Sequence, residues 1–273
     1  MIIPNMISLE VTTKCNGGCV MCPQSIMERR NEDMSLSDAH DIVCEAYQYG
    51  IRRLSPHGYG ESTKWLYYAP FIGWVKTTFP DMKITDTTNG SMLHHDYIRD
   101  AICENVDELI VSIDGVFEST NVAIRPGINY EKVILGLGLL RTRDKRPKVI
   151  LHRIRMPENR HESDELYREC WKPYADSIVF ADASDLHGLN PEIKKPIRTP
   201  GRCKRPFNSV WVNVRGDVIL CCRDQFSSVI YGNTHEAPLK KILEGPRRKA
   251  HQAIHETGRT EVMGLCKDCT YTG

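Results

Sequence analysis

The chain has 273 residues, with 36 Lys plus Arg against 35 Asp plus Glu, and a formal net charge of +1. That length suits one large domain or a domain with a small appendage. The near-zero charge excludes bulk attraction to nucleic acid or to an acidic membrane surface, and no apolar run approaches the ~20 residues of a membrane span. A hydrophobic content of 41% is ordinary for a globular protein. The start, Met1-Ile2-Ile3-Pro4-Asn5, lacks the charged and apolar regions of a secretory signal, and nothing folded is expected before the first strand. Eleven cysteines without such a signal point to metal rather than disulfides, and to a reducing cytoplasm.

The first strand is expected at 7–12, where Ile7-Ser8-Leu9-Glu10-Val11-Thr12 alternates. Cys15, Cys19 and Cys22 follow as Cys-x3-Cys-x2-Cys, with no fourth cysteine nearby. Gly17 and Gly18 are expected to let this loop curl. Iron–sulfur clusters are usually held by four thiolates. Three on one loop would leave one iron with an open position, able to bind and activate a ligand. A structural zinc site wants four closed ligands. Buried thiols that merely pack like small hydrophobes are the plainer alternative.

A helix is expected over 36–49, where Ala39, Ile42, Val43, Ala46 and Tyr49 recur near helical spacing before Gly50. Strand 52–56 leads into Gly58-Tyr59-Gly60-Glu61, and His57 and Tyr59 are candidates to line a cavity. Helix 65–78 and strand 83–88 follow, the latter ending at Thr88-Asn89-Gly90; an Asn-Gly pair is also a common plain turn. Helix 94–104 and strand 108–113 come next, with Ser112-Ile113-Asp114-Gly115 at the strand end and Arg125 beyond it. Helix 130–142 carries Val133, Ile134, Leu137 and Leu140.

Strand 148–154 brings His152, Arg153 and Arg155. Alternation puts the two arginines on one face and the histidine on the other. Facing inward, Arg153 and Arg155 would bind substrate hydroxyl or carboxylate groups, with Arg153 assisting a deprotonation. Facing outward, they would form salt bridges at the barrel mouth. Helix 162–172 and strand 177–182 complete six β-α units, which argue for a parallel sheet wrapped by helices. Cys44, Cys103 and Cys170 lie singly in helical stretches and are expected in the core.

Gly188, Pro191, Pro196, Pro200 and Gly201 give residues 188–202 a linker composition. Beyond it, 209–214 and 218–221 read as a β-hairpin around Arg215-Gly216-Asp217, and 238–255 as one helix. The basic run Pro246-Arg247-Arg248-Lys249 is expected on a solvated helix face. Cys203, Cys221, Cys266 and Cys269 make a second set of four; taken alone, it suits zinc and iron–sulfur equally. Adjacent strand residues point to opposite faces, so Cys221 and Cys222 are not both expected to be ligands.

The Cys15, Cys19 and Cys22 loop after a first strand resembles that of the radical S-adenosylmethionine (SAM) enzymes. The resemblance implies an α/β fold: a partial (β/α)6 barrel over 1–190 with its chemistry at the C-terminal strand ends. It also implies that the open iron binds SAM, which is cleaved to a 5′-deoxyadenosyl radical that takes a hydrogen atom from substrate. Gly58-Tyr59-Gly60-Glu61 matches the family's Gly-Gly-Glu-Pro imperfectly, with Tyr59 inserted and Ser62 replacing proline. Gly60, Glu61, Asn89, Ser112 and Arg125 would contact SAM, and Met21 would touch adenine or simply pack. Residues 191–273 resemble the family's twitch domain, a shortened SPASM domain. The resemblance implies an auxiliary 4Fe-4S cluster on Cys203, Cys221, Cys266 and Cys269, so two 4Fe-4S clusters with SAM. Cys222 is then a packing residue or a hydrogen-atom donor to a substrate radical. A flavodoxin or ferredoxin-type reductant is implied. The expected reaction is oxidation of a small polar substrate, such as an aminocyclitol, sugar or nucleoside-like alcohol. The alternative is modification of a ribosomal peptide by epimerisation, cross-linking or decarboxylation.

Overall fold

The computed structural model describes residues 2–183, 203–267 and 269. The expected linker 188–202 and the boundary at 190/191 lie outside them. Strands β1 (Met6–Leu9), β2 (Arg53–Ser55), β3 (Lys83–Thr88), β4 (Glu108–Ser112), β5 (Lys148–Arg155) and β6 (Ser177–Asp182) pair in parallel, each with its neighbour in sequence. Helices α1 (Leu36–Tyr49), α2 (Tyr68–Thr78), α3 (Asp96–Asn105), α4 (Glu118–Ile124), α5 (Tyr130–Arg141) and α6 (Asp164–Trp171) lie between them. The α1 boundaries follow from side-chain chemistry. Ser35 Oγ accepts the Asp38 N–H at 3.0 Å, and Gly50 ends the helix at φ 103°. The short helix α4 was not apparent in the sequence. Its buried residues are Thr120, Asn121 and Ile124, two of them polar, so it shows no apolar stripe.

The main core lies between sheet and helices. Ile7, Leu9, Leu54, Ile84, Leu109, Val111, Val149 and Leu151 project from the strands onto Ile42, Val43, Phe71, Ile72, Val75, Val133 and Leu137. The intervening strand residues face the other way. Thr87, Ile110, Ser112, Ile150, His152, Ile154 and Val179 line a cavity on the concave side. Period-two alternation thus assigns one set of strand residues to packing and the other to the cavity.

The C-terminal part continues this sheet. β7 (Ser209–Val212) pairs in parallel with β1, from Met6 opposite Ser209 to Leu9 opposite Val212. β8 (Asp217–Ile219) and β9 (Ile230–Asn233) add antiparallel, completing one nine-stranded sheet among the described residues. The turn needs Gly216: its φ is +83°, and an added Cβ would sit 2.7 Å from Thr234 Oγ1. β8 is shorter than expected and ends two residues before Cys221, after a register shift at Val218/Ile219. Strand alternation therefore does not govern Cys221 and Cys222. The expected helix 238–255 is two helices, α8 (Leu239–Leu243) and α9 (Pro246–Thr257). Pro246 has no N–H to continue the first and is suited to start the second. Arg248, expected in solvent, is buried and donates to the carbonyls of Leu243 and Pro206. Cys170 is exposed rather than in the core.

The two β5 arginines require correction as catalytic candidates. Arg153 shares the parity of Val149 and Leu151, so it points under α6 and away from the cavity. Its guanidinium donates to the carbonyls of Asn159 at 3.0 Å and Glu162 at 2.9 Å, and lies over the Tyr167 ring. Arg155 is partly exposed and pairs with Asp164 and Asp182. His152, on the opposite parity, is the residue that faces the cavity. Removing Arg153 takes the side-chain donor from the Asn159 and Glu162 carbonyls and the counter-charge from the buried Glu162 carboxylate, which keeps the Val116 and Phe117 N–H groups; the cost is about 3 kcal/mol. Arg153→Ala should therefore lower the thermal midpoint by about 6–12 °C, measured by circular dichroism, while SAM binding to the folded protein stays unchanged.

Candidate active site

The cavity has a volume of about 620 Å³ and opens where β1 to β5 end, within the usual range for small-molecule sites. Cys15, Cys19 and Cys22 form one side of it. The loop is pinned by its backbone: Cys22 N–H donates to Cys19 O at 2.9 Å, Gly18 N–H to Pro126 O at 2.8 Å and Val20 N–H to Ile124 O at 3.0 Å. Neither Gly17 nor Gly18 takes a positive φ. Gly17 serves space rather than curl, since a Cβ there would meet the Ile128 side chain at 3.0 Å, while Gly18 has room for one.

Burial raises all three thiol pKa values, that of Cys22 to about 11. Thiolates in this setting need a partner that replaces the proton. Donors already point at the sulfurs: Gly17 N–H to Cys15 Sγ at 3.4 Å and Arg125 Nη1 to Cys19 Sγ at 3.6 Å. Such contacts suit a thiolate-held iron–sulfur cluster. Among the described residues, no three His, Cys, Asp or Glu side chains converge as for a single ion.

The remaining sequence motifs meet beside this loop. Glu61 is buried, and its carboxylate accepts from Thr63 Oγ1 at 2.5 Å, Thr88 Oγ1 at 2.6 Å and Asn89 N–H at 2.7 Å. Burial pushes its pKa up and these donors oppose the shift. The Thr63 N–H adds a fourth donor, so the carboxylate is held from Thr63, Thr88 and Asn89 together. Asn89 Nδ2 reaches Asn16 Oδ1 at 3.1 Å and the Cys15 sulfur at 3.9 Å. Arg125 is held by Asp114 through Nε to Oδ2 at 2.6 Å. Asp114 in turn accepts the Ile154 N–H at 2.7 Å. Met21, Gly60 and Ser112 also line the cavity. The structure thus gathers every residue expected to contact SAM.

Two histidines and a tyrosine complete the wall. His57 is neutral because burial lowers its pKa to about 4, and burial lowers that of His152 as well. Tyr59 turns its hydroxyl to the Cys222 carbonyl at 2.5 Å. Behind it lies an ion pair that sequence reasoning did not single out. Arg29 Nε donates to Glu10 Oε2 at 2.7 Å, and Arg29 Nη1 to Gln225 O at 2.5 Å. Glu10 also accepts the N–H groups of Tyr59 at 3.1 Å and Val214 at 3.2 Å. The available signal was an acidic residue inside an apolar strand, Leu9-Glu10-Val11.

The second cysteine set sits beyond Tyr59. The Cys203 sulfur takes the Arg205 N–H and the Cys221 sulfur the Arg223 N–H. Burial raises the pKa of both thiols. Cys203 and Cys269 act on Cys222, and Cys266 on Cys221, so five cysteines share one neighbourhood. Cys222 is not part of the cavity wall; its sulfur faces the Arg205 guanidinium. That placement contradicts a role as hydrogen-atom donor to a radical in the cavity.

The radical SAM superfamily model matches residues 9–170, more than half of the chain. The chain belongs to the radical SAM superfamily. The SPASM model, an iron–sulfur cluster-binding domain, matches residues 203–270. This radical SAM protein therefore works with SAM and with 4Fe-4S clusters, and the cysteines of both sets have the chemistry to hold them. The chain is 21% identical over 272 residues to the S-adenosyl-L-methionine-dependent 2-deoxy-scyllo-inosamine dehydrogenase of Niallia circulans, covering 97% of this chain and 92% of that one. Among solved structures, BtrN in complex with AdoMet and 2-DOIA superposes with a TM-score of 0.68 at 19% identity, covering 98% of this chain and 94% of that one. Streptococcus suis SuiB bound to precursor peptide SuiA gives 0.77 at 14% identity, covering 99% and 72%.

Gly60 gives the sharpest steric test of the site. An added Cβ would lie 2.2 Å from the Thr12 carbonyl oxygen and 2.9 Å from Thr13 Cα, both backbone. The turn would have to retreat and carry Glu61 with it. Gly60→Ala should weaken SAM binding at least about tenfold, a 1.4 kcal/mol loss, by equilibrium dialysis of the reconstituted protein, while iron content is unchanged.

Proposed function

We propose that this radical SAM enzyme oxidises an alcohol carbon of a small polar substrate by two electrons. The observation that carries the reading is Tyr59, whose ring lines the cavity while its hydroxyl rests on Cys222, inside the second cysteine set. The three-cysteine loop flanks the same cavity. When bound, the cofactors supply a 5′-deoxyadenosyl radical beside the cavity and an electron acceptor behind Tyr59. A flavodoxin or ferredoxin-type reductant delivers the first electron, in the cytoplasm.

The chain's own residues provide orientation and proton transfer. Glu61 accepts from the SAM ammonium, and Arg125, fixed by Asp114, faces its carboxylate. Removing a hydrogen atom from an alcohol carbon leaves a radical that must still lose one proton and one electron to become a ketone. His152 is neutral and faces the cavity, and takes the hydroxyl proton in the role first expected of Arg153. The walls also bear on substrate class. Among the described lining residues the one carboxylate is Glu61, already held by internal donors on Thr63, Thr88 and Asn89. With Ile110, Ile150, Ile154 and Val179 around it, the cavity suits a neutral sugar or nucleoside-like alcohol better than a charged aminocyclitol. The same apolar wall favours a second reading, modification of an uncharged side chain in a ribosomal peptide.

Anaerobic reconstitution tests the assignment. Two clusters predict about eight irons per chain, and Cys15→Ala/Cys19→Ala/Cys22→Ala about four, with no 5′-deoxyadenosine formed under dithionite. Four irons and one zinc in the parent would remove the oxidation. Mass spectrometry on a panel of neutral alcohols should find a product lighter by two hydrogens; a modified peptide and no such product would support the second reading. His152→Gln should cut product formation about a hundredfold and leave SAM cleavage within about threefold of the parent. Burial holds the His152 pKa below the usual 6.5, so the base form persists there. Product rate in the parent should stay flat from about pH 8 to about pH 6.5 and fall only below it.

A further inference from the structure

We propose that Arg205, together with Arg223, raises the reduction potential of the cluster held by Cys203, Cys221, Cys266 and Cys269, and that the otherwise unassigned Cys222 anchors the Arg205 guanidinium at that position. The inference deepens the proposed function and rests on its reading of this cluster as the electron acceptor.

The geometry is local and follows from chain order. Arg205 opens the short helix Arg205–Asn208, two residues after Cys203. Its backbone N–H points at the Cys203 sulfur, while its guanidinium turns across the hairpin to the Cys222 sulfur. Arg223 approaches from the other strand end, with its N–H on the Cys221 sulfur. Outside the cysteine set itself, these two arginines are the charged side chains that act most strongly on Cys203 and Cys222, and Arg205 is the one acting on Cys221. Arginine stays charged at any working pH.

The consequence is electrostatic. A cluster held by four thiolates is anionic and gains another negative charge on reduction. Cations and N–H donors at its sulfurs favour the reduced form, and net charge and hydrogen bonds are what set such potentials. A cavity radical discharges more favourably into a site of higher potential. Cys222 therefore has work to do without being a ligand or a hydrogen donor: it keeps a flexible, cationic side chain against the cluster rather than in solvent.

The test is an EPR-monitored redox titration of the full chain carrying Cys15→Ala, Cys19→Ala and Cys22→Ala, so that one cluster is read. Arg205→Gln should lower the reduction equilibrium constant at least tenfold, which is 59 mV for one electron. Cys222→Ala should shift it in the same direction by less, and Arg205→Lys should stay within tenfold of the parent. An Arg205→Gln protein that holds about four irons and titrates with the parent overturns the proposal. Should Arg205→Gln fail to hold iron, Arg205→Lys decides: a parental potential supports the charge, and a tenfold or larger fall overturns it. Zinc in place of iron in the parent would sink the acceptor reading itself, a result that metal analysis separates from an unmoved potential.

Discussion

The buried pair of Glu10 and Arg29 is the constraint on which the relation between the two cysteine sets depends. Both residues are nearly inaccessible to solvent, and each spends its polar atoms on a different part of the chain. Glu10 holds the Tyr59 and Val214 N–H groups; Arg29 holds Glu10 and the Gln225 carbonyl. One charge pair thus joins the first strand, the segment after the cysteine loop, the glycine turn after β2, and the hairpin that leads to Cys221. Charges buried this way are costly unless fully paired. Here each is paired and also engages backbone groups, so displacing the turn or the hairpin removes a hydrogen-bond partner from a buried charge. Gly58 shows how closely the turn is seated, since a Cβ there would lie 2.4 Å from Glu10 Cγ.

The cavity uses the same economy. Glu61 is fixed by Thr63, Thr88 and Asn89, while Arg125 is fixed by Asp114, which is tied to β5 through Ile154. Each charged group expected to face SAM therefore keeps its orientation through neighbours on another strand end. That is what pre-organisation requires: a side chain locked before the ligand arrives loses little entropy on binding. It also explains why motifs far apart in sequence act together. Parallel strands place their C-terminal ends side by side, so loops after β1, β2, β3 and β4 meet at one point.

Much of this was legible in the sequence, for identifiable reasons. Helix α1 was read at its observed bounds, since apolar residues at helical spacing followed by Gly50 are a strong local signal. The cysteine loop and the motifs after β2, β3 and β4 were legible because spacing survives where identity does not. What failed depended on long-range geometry. The inward face of β5 is invisible locally, because Ile150, His152 and Ile154 are as apolar on average as Val149, Leu151 and Arg153. The register that sets His152 beside Ser112 decides it, and register is a property of two strands. The addition of β7 to β1 was equally hidden, because no residue of β7 signals which edge it will join. The break between α8 and α9 was legible in Gly245-Pro246 and was overlooked in favour of the longer periodic pattern.

The β5 parity also settles how the protein divides its charges. Arg153 and Arg155 are both taken up by carbonyls and carboxylates outside the cavity, so the cavity keeps Arg125 as its guanidinium and Glu61 as its carboxylate among the described lining residues. Both of those are positioned beside the cysteine loop. The rest of the wall is aliphatic, hydroxyl-bearing or neutral imidazole. On the proposed reading, with Arg125 and Glu61 given to SAM, a charged substrate would find no further counter-charge among the described lining residues. On the same reading a neutral alcohol would lose less, with His152 as the proposed acceptor of its proton. Among the described lining residues, charge is thus concentrated at Arg125 and Glu61 beside the cysteine loop, and the remaining wall is left to groups that carry none.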